Sequence, residues 1–391
     1  MVHFSEYYNE GVYTTLKGNY IFIPKNRFQV LTKEVWNKID YLDHHPHIMQ
    51  ITGFPDLEDD EGGLNGFLIE SNETVFPIGA GFDMGCGFRV IHIPRKWKEV
   101  RLELNFLHQC LTNGVSGFPI DINDINMIMD DPINWLNMRE VIGKSPEYPL
   151  FEYDQERPTH LSLEEVSKNL VQIPSGNHFV EFRYVHSIED TSFTNRYGIY
   201  EGDLMVFIHS GSDISIKRTF MRYFAMIHAR LGLGNIKLNY NGYKVQVPLQ
   251  TDLAQEFLAD AERASRLAFA NRSAITHIIA ETLQSPVQVL LDNTHSSIRA
   301  VGNKVQHRHS VQTYMGFKGE DIAVIAGTAS HDCVLVKRSG QYPFLNHGVG
   351  SGGDQEADSY FNIEEVLSHG SQLGWYHTVL RIHPWLAMRN N

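Results

Sequence analysis

Residues 252–283 read DLAQEFLADAERASRLAFANRSAITHIIAETL, and this stretch decides the class of fold. Phe257, Ala261, Ala264, Leu267, Ala268, Ala274, Ile275 and Ile278 recur at helical spacing along it. On its N-terminal side lie GNYIFIP, GGLNGFLIES and FRVIHIP, and on its C-terminal side VQVLLDN, DIAVIAG and CVLVKR. These are short β-branched and aromatic runs, several of them bounded by Gly, Pro or Asn, and they read as strands. Further strands are expected at 179–186 and 203–209, and helices at 97–112 and 213–231. Ser162 and Glu165 have the spacing of a capping box, opening a helix that stops before Pro174. Residues 120–160 are acidic and proline-containing and read as short helices and loops. Strands, a long central helix and strands again, without regular βαβ alternation, predict an α+β fold.

The chain has 391 residues, 42% hydrophobic and 20% charged. That composition belongs to globular proteins able to bury a sizeable core. No run of 18 or more apolar residues occurs, so no membrane helix is expected. The N-terminus MVHFSEYYNE lacks the basic and apolar regions of a signal peptide. The three cysteines, Cys86, Cys110 and Cys333, exclude a disulfide framework, and the expected location is cytoplasmic. A net charge of −13 argues against a general nucleic-acid coat protein, which would be basic. It leaves room for an enzyme that grips nucleic-acid ends through metal ions and a local basic patch.

Chemistry concentrates in a few turns. Leu345-Asn346-His347-Gly348-Val349-Gly350-Ser351-Gly352-Gly353 sets a histidine among four glycines. Such a loop brings backbone close to a ligand and can offer N–H groups to an anion. Asp83-Met84-Gly85-Cys86-Gly87 can aim a carboxylate and a thiol at one ion; the alternative is a buried structural cysteine beside a turn aspartate. Gly176-Asn177-His178-Phe179-Val180-Glu181 opens a strand, where His178 and Glu181 need not share a role. His209, before Ser210-Gly211-Ser212, and His295, in Asp292-Asn293-Thr294-His295, each end an apolar strand. A core histidine is the competing reading for either. One Asp, one Cys and three His form a mixed O/S/N set acceptable to Zn²⁺, Mn²⁺, Co²⁺ or Ni²⁺.

In order and wording these motifs resemble the RtcB family of 3′-phosphate RNA-splicing ligases. Its Asp-x-x-Cys-Gly turn matches Asp83 to Gly87, and its Gly-Asn-His-x-x-Glu segment matches Gly176 to Glu181. Its His-Ser-Gly-Ser matches His209 to Ser212, its Asp-x-Ser/Thr-His turn Asp292 to His295, and its His-Gly-Ala-Gly loop His347 to Gly350. Pro55-Asp56, Asn271-Arg272, His307-Arg308, Tyr360 and Ile363 to Val366 are weaker matches. The likeness spans roughly residues 20–390. It implies one domain over 1–391, with β-sheets and peripheral helices around a central metal pocket.

The resemblance also implies roles. Two Mn²⁺ ions share Cys86, with Asp83 and His178 completing one site and His209 and His295 the other. His347 attacks GTP and becomes guanylylated, and Asp56 orients its imidazole. Asn177, Glu181, Gly348, Gly350, Tyr360 and Arg389 contact the nucleotide. The implied reaction joins an RNA 3′-phosphate or 2′,3′-cyclic phosphate to a 5′-hydroxyl, as in RNA repair and tRNA splicing. The chain departs from the family at Asp213 and Ser351, where the family has arginine, and at His309, Ser296 and Arg389. Loss of two arginines removes bidentate phosphate contacts. Two rivals follow: a metal-dependent phosphoesterase or nucleotidyltransferase on another substrate, and a non-catalytic protein that binds RNA ends.

Overall fold

The computed structural model describes residues 5–7, 11–15, 17–23, 31–60, 63–100, 104–113, 118–144, 155–211, 214–231, 242–317, 320–327, 330–341, 344–346 and 363–389. His347, Gly348, Gly350, Ser351, Tyr360 and Asp213 lie outside them. The architecture is α+β. One sheet has eight strands in the order Gln288–Thr294, Gly87–Lys96, Asp203–Ser210, Phe179–Ile188, Tyr376–Met388, Cys333–Arg338, Glu320–Ile325 and Met315–Phe317. All its neighbours are antiparallel. A second sheet has seven strands, Ser5–Tyr7, Val12–Thr14, Tyr20–Phe22, Ile48–Asp60, Gly63–Asn72, Lys304–His309 and Ser297–Val301. Tyr20–Phe22 and Ile48–Asp60 run parallel there.

The long helix spans Asp252–Leu283, as its spacing predicts. The Thr251 side chain caps it by accepting from the Ala254 N–H at 3.3 Å. From Ala259 to Thr276 every residue is buried. A helix enclosed on all sides must be apolar or satisfy its charges internally. Here Arg263 pairs with Asp260 at 2.9 Å and Arg266 with Glu262 at 3.3 Å. Arg272 pairs with Asp292 from the neighbouring strand at 2.8 Å. The helix therefore both fills the core and carries cations into it.

Several expectations change. Ser162 makes no side-chain cap, and the short helix there is Leu163–Asn169. The helix expected from 97 begins at Leu104, because Trp97 starts a separate 3₁₀ turn and stacks on Tyr184 at 4.8 Å. Pro55-Asp56 falls inside a strand at a register shift between Gly53 and Glu58, the bulge that lets a strand hold proline. Among the described residues no helix is long and apolar enough to cross a membrane.

Candidate metal centre

Two glycines let the turns of the candidate site close. Gly85, at φ +85°, has a backbone conformation that L side chains rarely adopt, and a Cβ there would lie 2.8 Å from the Ala264 carbonyl oxygen. At Gly211 a Cβ would lie 2.7 Å from Asp83 Oδ1 and 2.8 Å from Cys86 Cα, so only glycine lets the His209 turn pack on the Asp83–Cys86 turn. The strands do the rest. Gly87 is opposite both Thr294 and Ser210 across the sheet, and Phe179 is opposite His209. Four separate segments thus end at one place.

All five predicted ligands meet there. Cys86 Sγ lies 3.1 Å from His209 Nε2, 3.2 Å from His295 Nε2 and 3.6 Å from His178 Nε2. Asp83 Oδ2 is 2.9 Å from His178 Nε2. Cys86, His178, His209 and His295 are buried. Cys86, His178 and His209 are close enough together to hold one ion. Ligands bonded to one tetrahedral ion at about 2.0–2.3 Å sit about 3.5 Å apart, which these separations approach.

The hydrogen bonds favour a cation. His178 Nδ1 donates to the Ser175 carbonyl at 3.1 Å, and His209 Nδ1 to the Asn177 carbonyl at 3.2 Å. A carbonyl can only accept, so each Nδ1 carries the proton and each Nε2 presents its lone pair to the sulfur. The Nε2 of His178 and the Asp83 carboxylate are then two acceptors facing one another, satisfied by a second proton or by a metal ion. Burial pushes the Cys86 thiol well up, and the Asp83 charge adds to the rise while Arg272 opposes it. Burial disfavours a charged His178, but Asp83 outweighs it and the ring's pKa is raised.

Arg272 ties the ligand turns together. Its Nη1 donates to the Ser210 carbonyl at 2.9 Å and the Gly85 carbonyl at 3.3 Å. Its Nε donates to Asp292 Oδ1 at 2.9 Å and its Nη2 to Thr294 Oγ1 at 3.4 Å. One guanidinium therefore reaches the turns of Cys86, His209 and His295. Asn271 adds a bond from Nδ2 to Ser210 Oγ at 2.8 Å. The other oxygen of Asp292 accepts from Arg89. The sequence marks Asn271-Arg272 as a motif match but assigns these residues no role; their hydrogen bonds to the ligand turns emerge only from the fold. We expect Arg272→Leu to lower metal affinity about 10–100-fold, as loss of groups behind the ligands does. It should also destabilise the fold by ~3–5 kcal/mol by leaving the buried Asp292 short of a partner. Metal titration and thermal denaturation would measure both.

Of the remaining predicted residues, Asn177, Glu181, Arg389 and Asp56 are described. Asn177 is exposed, while its carbonyl holds His209. Glu181 is buried and points the other way, to Arg183 at 2.6 Å, so it and His178 serve different surroundings. Its Oε1 has no hydrogen-bond partner among the described residues. Arg389 follows Met388, which is opposite Val180, so it lies one strand from Glu181. Asp56 is buried beneath Gly66, where a Cβ would sit 2.7 Å from its Oδ1. The strand Phe344–Asn346 pairs Asn346 with Val311, and the Val311 N–H donates to the His295 carbonyl at 2.9 Å. That strand also packs on Ile48–Asp60. The backbone leading into position 347 thus runs between the His295 turn and the strand of Asp56. His307, fully buried, accepts from the Phe76 N–H at 3.0 Å and donates to the Ile69 carbonyl at 3.3 Å. Burial pushes its pKa down to about 3, and it is a packing residue.

Comparison with known proteins supplies the context. A family profile described as tRNA-splicing ligase RtcB matches residues 39–325. The chain is 26% identical over 239 residues to a tRNA-splicing ligase RtcB of Aeropyrum pernix, covering 57% of this chain and 49% of that protein. It is 23% identical over 297 residues to the protein of that name from Thermococcus kodakarensis, covering 68% and 59%. The Methanococcus maripaludis protein is 24% identical over 315 residues, covering 74% and 65%. The first two matches span about half to three fifths of those relatives' length. The profile match takes in Asp56, Asp83, Cys86, His178, His209 and His295 and ends before His347, Tyr360 and Arg389. With most of its length matched by that profile and the five-residue cluster inside the match, the chain belongs to the RtcB family.

Proposed function

We propose that this chain is a GTP-dependent RNA ligase joining 3′-phosphate or 2′,3′-cyclic phosphate ends to 5′-hydroxyl ends. The carrying observation is the buried thiol ringed by three imidazoles whose Nε2 atoms all face it, with the strand leading to His347 alongside. Asp83, Cys86 and His178 would hold one divalent cation, and Cys86, His209 and His295 a second. Two Mn²⁺ ions, when bound, supply Lewis acidity and neutralise phosphate charge.

The chain's own groups do the rest. His347 acts as nucleophile through a neutral Nε2, and Asp56, by accepting from Nδ1, fixes that tautomer. Attack by His347 on the α-phosphate of GTP expels pyrophosphate, and the guanylyl group then passes from His347 to the RNA 3′-phosphate, freeing the imidazole. The 5′-hydroxyl attacks that phosphate and expels GMP, a 2′,3′-cyclic end having first been opened by water. Glu181 faces the nucleotide: its buried, unpartnered Oε1 among the described residues suits a ligand donor such as a ribose hydroxyl or a base N–H. Arg183 holds the other carboxylate oxygen in place at 2.8 Å. Asn177, Gly348, Gly350, Tyr360 and Arg389 complete the nucleotide contacts.

The test is incubation with GTP labelled at the α-phosphate and Mn²⁺, then addition of RNA with 3′-phosphate and 5′-hydroxyl ends. We expect covalent label on the protein, its discharge by RNA, and a joined product. Label released without joining would instead identify a nucleotidyltransferase. Absence of label would leave an RNA-end-binding protein and overturn the proposal.

A further inference from the structure

The hairpin that follows His295 carries cations that the site above does not use. Ser297–Val301 pairs with Lys304–His309 so that Ser297 is opposite Arg308, Arg299 opposite Gln306 and Val301 opposite Lys304. Paired residues in a sheet project to the same side. Arg299, Lys304 and Arg308 therefore rise from one face, while His307 turns to the core. They line a pocket of about 460 Å³ whose far wall carries Tyr314 and Arg338. That volume lies within the ~300–1,000 Å³ usual for ligand sites.

The pocket is charged and held in shape. It gathers four cationic side chains in a protein of net charge −13. Among the described residues, carboxylates beside them include Glu70, which accepts from Gln306 at 3.0 Å, and Asp321, which pairs with Arg338. Arg308 is buried and anchored through Nε to Ser297 Oγ at 3.0 Å. The Arg338 guanidinium lies 5.8 Å from the centre of the Tyr314 ring. Ser297 is two residues beyond His295. Thr313, also in the wall, is opposite Phe344, three residues before position 347. The pocket thus flanks the proposed reaction centre on both of these segments.

We propose that this pocket binds the phosphodiester backbone of single-stranded RNA beside the end being joined. Guanidinium groups suit phosphate oxygens, and the apolar Val301 and Tyr314 suit ribose or base. The inference rests on the ligase reading above.

The test uses the full chain with Mn²⁺ and a fluorescent single-stranded RNA bearing a 3′-phosphate. Anisotropy is read across a salt series for the wild type and for Arg299→Gln/Lys304→Gln. A control double variant, Lys33→Gln/Lys98→Gln, removes the same charge elsewhere, and metal content and Tm check folding. We expect the pocket variant to bind RNA at least about tenfold more weakly. The slope of log K against log[salt] should become shallower by ~0.7 for each phosphate that the protein no longer neutralises. Equal weakening by the control, or unchanged RNA affinity with the pocket variant, overturns the proposal. So does a loss of affinity confined to free GTP, which would make the pocket a nucleotide site. Weakened RNA binding by a protein that joins no RNA would defeat the ligase reading and leave the RNA pocket standing.

Discussion

Replacement of His347 by alanine is expected to abolish covalent attachment of GMP while bound metal stays at the wild-type level. His347 is not among the five residues gathered at Cys86, so its loss removes the nucleophile without emptying the cluster. Mass spectrometry after incubation with GTP reads the first part and elemental analysis the second. An adduct that persists would move the nucleophile elsewhere. His307 is a poor replacement, because both its nitrogens are bound to backbone in the core. His309 Nδ1 donates to the Leu64 carbonyl at 2.9 Å, and its Nε2 is packed against Gly81, where a Cβ would sit 2.4 Å away.

Cys86→Ala should have the opposite profile: loss of metal first, and of every later step with it. The sulfur lies within 3.6 Å of the Nε2 of all three imidazoles, so its removal weakens both proposed ion sites together. Removing a group that merely supports a ligand costs about 10–100-fold in affinity, and losing the shared ligand should exceed that. Calorimetric titration with Mn²⁺ measures the change. The fold should survive, since alanine replaces a small buried side chain and Arg272 still binds Ser210, Gly85 and Asp292. Near-native Mn²⁺ affinity in Cys86→Ala would end the assignment of a bridging thiolate.

Parts of the molecule are legible from the sequence alone. The helix Asp252–Leu283 has a long apolar period and no glycine or proline, so local preference and burial agree. Val289-Leu290-Leu291 and Val334-Leu335-Val336 are β-branched and leucine runs, and both are strands. His178, His209 and His295 are visible as polar rings at the ends of apolar strands, although a core histidine is the competing reading for His209 and His295, and only the fold brings the three together around Cys86. The strand Ile48–Asp60 is obscured by Pro55 and Asp56, which read locally as a turn and form a bulge instead. Tyr376–Met388 is hidden by Pro384, which sits at a register shift. The hairpin Ser297–His309 escapes notice because its outer residues are charged, and only strand pairing shows that they share a face. The role of Arg272 is illegible for another reason. Its partner at Gly85 is 187 positions away, and nothing in the neighbourhood of either residue announces the hydrogen bond.

The order in which the sheets close bears on synthesis. Gly87–Lys96 becomes an interior strand only when Gln288–Thr294 pairs with it, and Gly63–Asn72 gains its second neighbour only from Lys304–His309. A chain emerging from the ribosome must hold both N-terminal strands with one edge open until roughly two hundred further residues have followed. Long-range pairings of this kind slow folding and leave strand edges open to unwanted association. The thiol is affected too: a chain that stops before residue 295 has Asp83, Cys86, His178 and His209 but lacks the third imidazole beside the sulfur.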